Sequence, residues 1–232
     1  MAGIKQISRA TVAPKTTKKT RKPRVRNQDR WLLKHLDTNL QYTKKWTIKD
    51  VFYPSMLGNL CDRYLYLAYN GKLPDQSINA KTARIFDTGN SLEERMKKYF
   101  TRTGLFLAEE QSLKLVNPPI SGRYDFLLKH EEHGRIILEL KSINQKGFDA
   151  LIEEPKPEHT IQLQIYLNIS GIDQGVVMYE NKNDQLLKAF TVKKDEQIWN
   201  SILERCIRIQ NMVEMPVMCT GEFYCECRGV KR

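Results

Sequence analysis

The chain has 232 residues, 41% of them hydrophobic and 28% charged, and a formal net charge of +11. This length suits one ordinary domain plus a tail, and it buries enough surface to build a core without disulfide staples. The composition excludes collagen, coiled coil and wholesale disorder; no run reaches the ~18 apolar residues of a membrane span, and the start lacks the apolar stretch of a secretory signal.

The charge is concentrated at one end. Residues 1–30 hold ten lysines and arginines against Asp29 alone, a net of +9, which leaves +2 for the rest. This tail, with Lys18, Lys19, Arg21 and Lys22 at its centre, lacks periodicity and is expected to be extended and solvated. It would add affinity for a polyphosphate by releasing counterions. Pro14 and Pro23 break the amphipathic helix of a mitochondrial targeting segment, so a cytoplasmic, intracellular location is expected.

After the tail, a short helix is expected over residues 31–40. Pro54 and Ser55 open another, with Ser55 as N-cap and Leu57, Leu60, Cys61, Tyr64, Leu65 and Ala68 on one face. Residues 80–102 read as a long helix in which Leu92, Met96 and Phe100 recur at helical spacing. Gly89 sits inside it at a cost of about 1 kcal/mol, which suggests a close approach to the backbone there. Short strands follow at 105–108 and 112–116. Residues 122–129 and 135–142 form the clearest unit, a hairpin closed by His130-Glu131-Glu132-His133-Gly134. A helix opens at Pro157 and ends at Gly171, a second hairpin spans 175–192, and a last helix runs from about Lys194 to Met215.

The first hairpin carries chemistry. Counting outward from a loop centred on residue 132 sets Asp125 opposite Glu139, with Lys141 on the same face as Glu139 and Leu138 and Leu140 on the other. Two carboxylates ~4 Å apart repel by about 4 kcal/mol at an effective dielectric near 20. A divalent cation removes the conflict, and Mg²⁺ or Mn²⁺ favours oxygen ligands. An exposed, purely structural Asp–Lys–Glu face is the plain alternative. On the next helix Gln162 and Tyr166 share a face, with His159 nearby; on the earlier helix Glu93 follows Gly89 by four, where it would otherwise be an exposed partner of Lys97.

There are five cysteines: Cys61, Cys206, Cys219, Cys225 and Cys227. In a reducing compartment, metal ligation and free thiols compete and disulfides come last.

In the order Gly89-x-x-x-Glu93, Gly122-Arg123-Tyr124-Asp125, Glu139-Leu140-Lys141 and Gln162-x-x-x-Tyr166, residues 50–232 resemble the PD-(D/E)XK nuclease superfamily, most of all its RecB-like branch with the CRISPR-adaptation exonucleases. The resemblance implies an α/β, restriction-endonuclease-like core, a mixed central sheet flanked by helices. Residues 31–80 and 205–232 would form a helical, cysteine-bearing accessory region within one nuclease domain spanning 31–232. It implies Asp125, Glu139 and the Leu140 carbonyl as metal ligands, Glu93 as a third acid where relatives often have His, and Lys141 serving the attacking water. Gln162 and Tyr166 would orient water or phosphate. The usual Pro before the first acid is replaced by Tyr124. Relatives often hold a [4Fe–4S] cluster, here implying Cys61, Cys219, Cys225 and Cys227, although Cys-x₅-Cys-x-Cys departs from the usual spacing; structural Zn²⁺ and ordinary reduced thiols are the alternatives.

The expected function is thus metal-dependent hydrolysis of DNA phosphodiesters, exonucleolytic in kind, with the tail, Arg63 and Arg123 on backbone phosphates and protein partners in a recombination or replication complex. A compact nuclease with a basic tail would suit a virus or mobile element. Two alternatives remain: a non-catalytic nuclease-fold scaffold in a replication, repair or packaging assembly, and a zinc-stabilised regulator.

Overall fold

The computed structural model describes residues 30–47, 49–220 and 225–229. The tail through Asp29, with Lys18, Lys19, Arg21, Lys22 and the targeting reading, lies outside the described residues. The elements in chain order are α1 (Arg30–Leu40), β1 (Tyr42–Lys44), α2 (Pro54–Leu57), α3 (Asp62–Tyr69), β2 (Gln76–Ile78), α4 (Ala80–Arg102), β3 (Phe106–Leu115), β4 (Ile120–His130), β5 (Gly134–Ile143), α5 (Gln145–Asp149), α6 (Pro157–Ser170), β6 (Gln174–Asn181), β7 (Leu187–Lys193) and α7 (Glu196–Gln210), followed by a 3₁₀ turn at Glu226–Gly229.

Strands β3 to β7 form one sheet in sequence order. Neighbours are antiparallel except β5 and β6, which run parallel. A parallel pair needs a crossover, and α6 supplies it. Pro157 starts α6 with its fixed φ, and Gly171 ends it at φ +71°, a conformation that favours glycine. Because side chains alternate along a strand, β5 feeds two cores. Ile137 packs with Leu163, Leu167, Val177 and Tyr179 under α6. Leu138 and Leu140 pack with Leu92, Met96, Phe126 and Met178 under α4. Each fully buried aliphatic side chain there is worth about 1.5–3 kcal/mol. The sheet is therefore mixed and helix-flanked on both faces, as expected.

Helix α4 has the predicted bounds. The Asn79 side chain accepts the Thr82 N–H at its start, and Arg95 Nη2 reaches both oxygens of buried Glu180 at 2.7 and 2.8 Å. This ion pair fixes α4 over β6 and so fixes the height of Glu93 above the sheet.

A third core joins the two ends of the described chain: Phe52, Leu65, Leu67, Ile202, Cys206, Ile209 and Cys227 pack together. The helix expected from Ser55 is here two helices. Pro54 rather than Ser55 opens α2, and Cys61 caps α3 by accepting the Tyr64 N–H on its sulfur at 3.3 Å; Leu60 between them is exposed. The two strands expected at 105–116 are one, β3, with a register shift near Leu107 and Glu110 at φ +51°. Helix α7 stops at Gln210, where the Asn211 N–H takes the carbonyl of Ile207, well before Pro216. The pair β1–β2 and helix α5 were not expected. Three-residue strands and a five-residue helix are too short to show periodicity.

Candidate active site and a four-thiol corner

The β4–β5 ladder pairs Phe126 with Leu138 through to His130 with Gly134, the register that sequence counting gives. It stops one pair short of Asp125 and Glu139. There the strands fork: Asp125 Oδ2 accepts the Leu140 N–H at 2.7 Å, and Glu139 pairs through its backbone register with Val177 of β6. A side chain has taken the place of a ladder bond, which draws Asp125 onto β5 at the position of the acids.

Glu139 is 1% exposed. Its Oε1 accepts from Lys141 Nζ at 2.5 Å and from Gln162 Nε2 at 2.7 Å, while Oε2 is buried with no hydrogen-bond partner among the described residues. Gln162 Nε2 also lies 3.1 Å from Tyr166 Oη, which donates to the Arg123 carbonyl at 2.9 Å. The small residue of Gly122-Arg123-Tyr124-Asp125 is required here. A Cβ on Gly122 would lie 2.6 Å from Pro54 Cγ and 3.1 Å from the Tyr166 ring.

The electrostatics are those of acids crowded away from water. Burial, then the charge of Asp125, pushes Glu139 up to about 8. Burial also raises Asp125, against the pull of the Leu140 N–H, and burial with Asp125 and Glu110 raises Glu93. Burial acts to lower Lys141, but Glu139 outweighs it and the ammonium is held. Burial and Glu139 keep Tyr166 protonated. His159 points elsewhere: the Tyr179 hydroxyl accepts the Lys156 N–H at 2.9 Å and bonds His159 Nδ1 at 2.7 Å, and burial followed by the charges of Lys141 and Lys156 drops the imidazole to about 3.

Asp125, Glu139, Lys141, Gln162 and Tyr166 thus come together, and Glu93 joins them across a cleft that it lines with Asp125, Glu94, Glu109 and Glu110. The expected Glu93–Lys97 pair does not form. Lys97 pairs with Glu109 and Arg123 with Glu110, at 2.9 Å in the second case. Sequence reasoning did not single out Glu110, which reaches the cleft from β3. Arg123 is half exposed at the rim. Arg63 is a correction: it is 2% exposed, and its Nη1 donates to the Pro216 carbonyl at 2.8 Å, so it braces the C-terminal segment and presents no charge to a phosphate.

The second cluster comprises Cys61, Cys219, Cys225 and Cys227, whose sulfurs all lie within 4.8 Å of one another. Cys61 Sγ is 3.6 Å and Cys219 Sγ 3.3 Å from Cys227 Sγ, so the four are thiols and not disulfides. Contact with Cys227 draws Cys219 down to about 7. Cys206 stands apart in α7, where burial lifts it to about 12. Asp62, next to Cys61, is held by Arg205 at 2.9 Å and Arg208 at 2.6 Å, which ties α3 to α7 behind the cluster.

Four thiols suit either group raised by the sequence. The four sulfurs, all within 4.8 Å of one another, are close enough to hold one metal group together. At the carboxylate fork, the orphaned Glu139 oxygen beside Asp125 is the donor set a hard divalent cation takes.

Neither the protein-family models nor the curated proteins yield a match. Solved structures do. LHK-Exo in complex with dAMP matches at a TM-score of 0.51 and 15% identity, covering 76% of this chain and 90% of that one. The alkaline exonuclease LHK-Exo from Laribacter hongkongensis matches at 0.47 and 15%, over 69% and 86%. A phage-related exonuclease from Haemophilus somnus matches at 0.41 and 18%, over 54% and 68%. At this identity the likeness to the dAMP complex concerns the fold alone, and the fold of this chain is a five-stranded mixed sheet with helices on both faces.

Proposed function

We propose that this chain is a divalent-metal-dependent DNA nuclease, exonucleolytic in kind. The observation that carries the reading is Glu139, a carboxylate sealed from water with one oxygen accepting two hydrogen bonds, one of them from an ammonium group, the other oxygen without a partner among the described residues, and a second buried acid beside it. A structural sheet gains nothing from that arrangement, because a buried carboxylate oxygen left without a partner costs about 1–3 kcal/mol or more. Asp125 and Glu139 would hold Mg²⁺ or Mn²⁺, with the Leu140 carbonyl and Glu93 completing the ligand set. When bound, such an ion supplies positive charge to the phosphate and makes a water acidic enough to attack at neutral pH.

The chain's own groups do the rest. Lys141, whose charged form Glu139 favours, would position the attacking water or a phosphate oxygen by hydrogen bonding, and the water's proton ends in solvent. Gln162 is neutral and is fixed by Glu139 and Tyr166, so it orients without adding charge. Hydrolysis forms one P–O bond from water and breaks the P–O bond to the leaving sugar, whose oxygen is protonated from solvent. The dAMP bound by a nuclease of the same fold supports a DNA substrate. The +9 tail and Arg123 would add backbone contacts.

The proposal includes the four-thiol corner as a metal-held clip closing the 31–80 and 205–232 segments into an accessory region on one nuclease domain of residues 31–232. Protein partners in a recombination or replication complex belong to the same reading. No helix among the described residues is long and apolar enough to cross a membrane.

The test is cleavage of end-labelled single-stranded DNA with Mn²⁺. The wild type should release short products, and Lys141→Ala should lose on the order of 10²–10³ in rate. Undiminished cleavage by Lys141→Ala rejects the mechanism, and DNA binding by a wild type that never cuts with any metal favours the scaffold alternative.

A further inference from the structure

Two clefts meet at Asn90 and Glu93 on α4, and they differ in charge. The one described above is lined by five carboxylates and Lys97. The other, about 750 Å³, lies between α4, the β1 strand and the end of β5, and is lined by Lys44, Lys141 and Lys182 with Glu93 as its sole acid. Lys44 and Lys182 have no ion-pair partner among the described residues, and both are exposed. The same cleft shows Tyr42 at 49% exposure and Phe86 at 47%, with Ile85 beside them. Large rings left half in water next to a buried acid site are not explained by packing. Phe86, Gly89, Asn90 and Glu93 follow one another along a single face of α4 and lead from the rings to the acids. Gly89 fits this track. A Cβ there would touch nothing within 4 Å, so no neighbour in the fold requires its absence. What the missing side chain leaves is an open floor to the cleft.

We infer that this second cleft is the path of an unpaired strand of nucleic acid, with bases stacked on Phe86 and Tyr42 and phosphates held by Lys44 and Lys182, running toward Lys141. The inference rests on the nuclease reading and deepens it by naming a single strand as the substrate. Stacking on a ring face is available only to an unpaired base, and aromatic platforms beside lysines are how sequence-tolerant single-strand sites are built. The volume is that of a small-ligand cleft, enough for a few stacked nucleotides. The acidic cleft on the far side of Glu93 holds acids assigned to the metal and has Lys97 as its one basic residue, so the lysine side is the one that offers a phosphate chain its approach.

The experiment uses the full chain with Mn²⁺, a single-stranded oligonucleotide carrying 2-aminopurine, its blunt duplex, and bis(p-nitrophenyl) phosphate, which spans the reacting centre alone. Phe86→Ala should raise KM for the single strand by about tenfold or more and abolish 2-aminopurine quenching, and Phe86→Trp should restore both. Gly89→Met, which improves helix propensity, should obstruct the cleft and raise KM without lowering the melting midpoint. Lys44→Ala and Lys182→Ala should each flatten the salt dependence of binding by about 0.7 in log–log slope. All four positions should leave bis(p-nitrophenyl) phosphate hydrolysis unchanged. Unchanged KM in Phe86→Ala and Gly89→Met, equal loss on the small ester, or preference for the duplex overturns the inference. If the wild type hydrolyses nothing, the nuclease reading fails by itself, and quenching decides the cleft: retained quenching that Phe86→Ala removes sustains it, and no quenching overturns it.

Discussion

The carboxylate fork and the four-thiol corner both gather ligand-type side chains, but by opposite means. At the fork, Asp125 and Glu139 stand on adjacent strands, and their positions follow from a ladder and one backbone N–H, so the site exists before any ion arrives. At the corner, Cys61 meets Cys219, Cys225 and Cys227 across most of the chain length, and one of the two partners is a short turn at Glu226–Gly229. Closing so long a loop costs entropy that four thiols cannot offset by themselves. The fork is held by the fold and is expected to cost stability, whereas under the proposed reading a metal at the corner would add a clip to the core and ion pairs that already join α3 to α7. Substitution should therefore cost activity at one and stability at the other.

The largest effect is expected at the corner. Cys227→Ser should abolish bound metal and lower the melting midpoint by about 10 °C, a loss of several kcal/mol at the 2–4 °C per kcal/mol usual for a chain of this size. Cys206→Ser should keep the metal, because that thiol lies apart in α7. Metal analysis and calorimetry read both. Iron with acid-labile sulfide and a brown colour identify a cluster, one colourless zinc per chain identifies the tetrahedral ion, and a metal-free, fully stable wild type removes the contrast.

Asp125→Asn should do the reverse. Cleavage should fall on the order of 10²–10⁴-fold. The midpoint should hold or rise, since the amide oxygen still accepts the Leu140 N–H and a buried charge is gone. A marked loss of stability would show that the fork is structural.

The smallest effect concerns His159, which lies beside the fork and takes no part in it. Its folded pKa is about 3, below the usual 6.5, so the folded state binds fewer protons than the unfolded state between those values. Stability from this group is present above pH 6.5 and declines as pH falls through that window, by up to about 1.4 kcal/mol per pH unit. Urea titrations at pH 7 and pH 5 should show a smaller decline in His159→Asn than in the wild type. Equal declines would place the acid sensitivity elsewhere.

Local signals were read well from the sequence. Alternation and a Gly-closed loop on residues 122–142 carry the register that sets Asp125 near Glu139, because a hairpin's partners are fixed once its loop is. Pro157 and Gly171 bound α6 for similarly local reasons. The sequence was misleading where long-range packing decides. Arg63 looks like a surface cation in an exposed motif, yet it is swallowed by the core joining α3 to the Pro216 segment. Lys97 is at helical spacing from Glu93 but finds Glu109 on β3 instead. The rings of Tyr42 and Phe86 gave no signal, since their meeting depends on a three-residue strand lying against a helix forty residues later.

Register and residue chemistry set Asp125, Glu139 and Lys141 together, because periodicity and spacing are properties of neighbours along the backbone, while Glu93 and the set of four thiols came from the resemblance to a nuclease family. Which carboxylate oxygen lost its partners, which arginine went inside, and which side of Glu93 is basic were settled when distant segments packed. Burial and the field of surrounding charges are sums over atoms that the backbone order does not bring together.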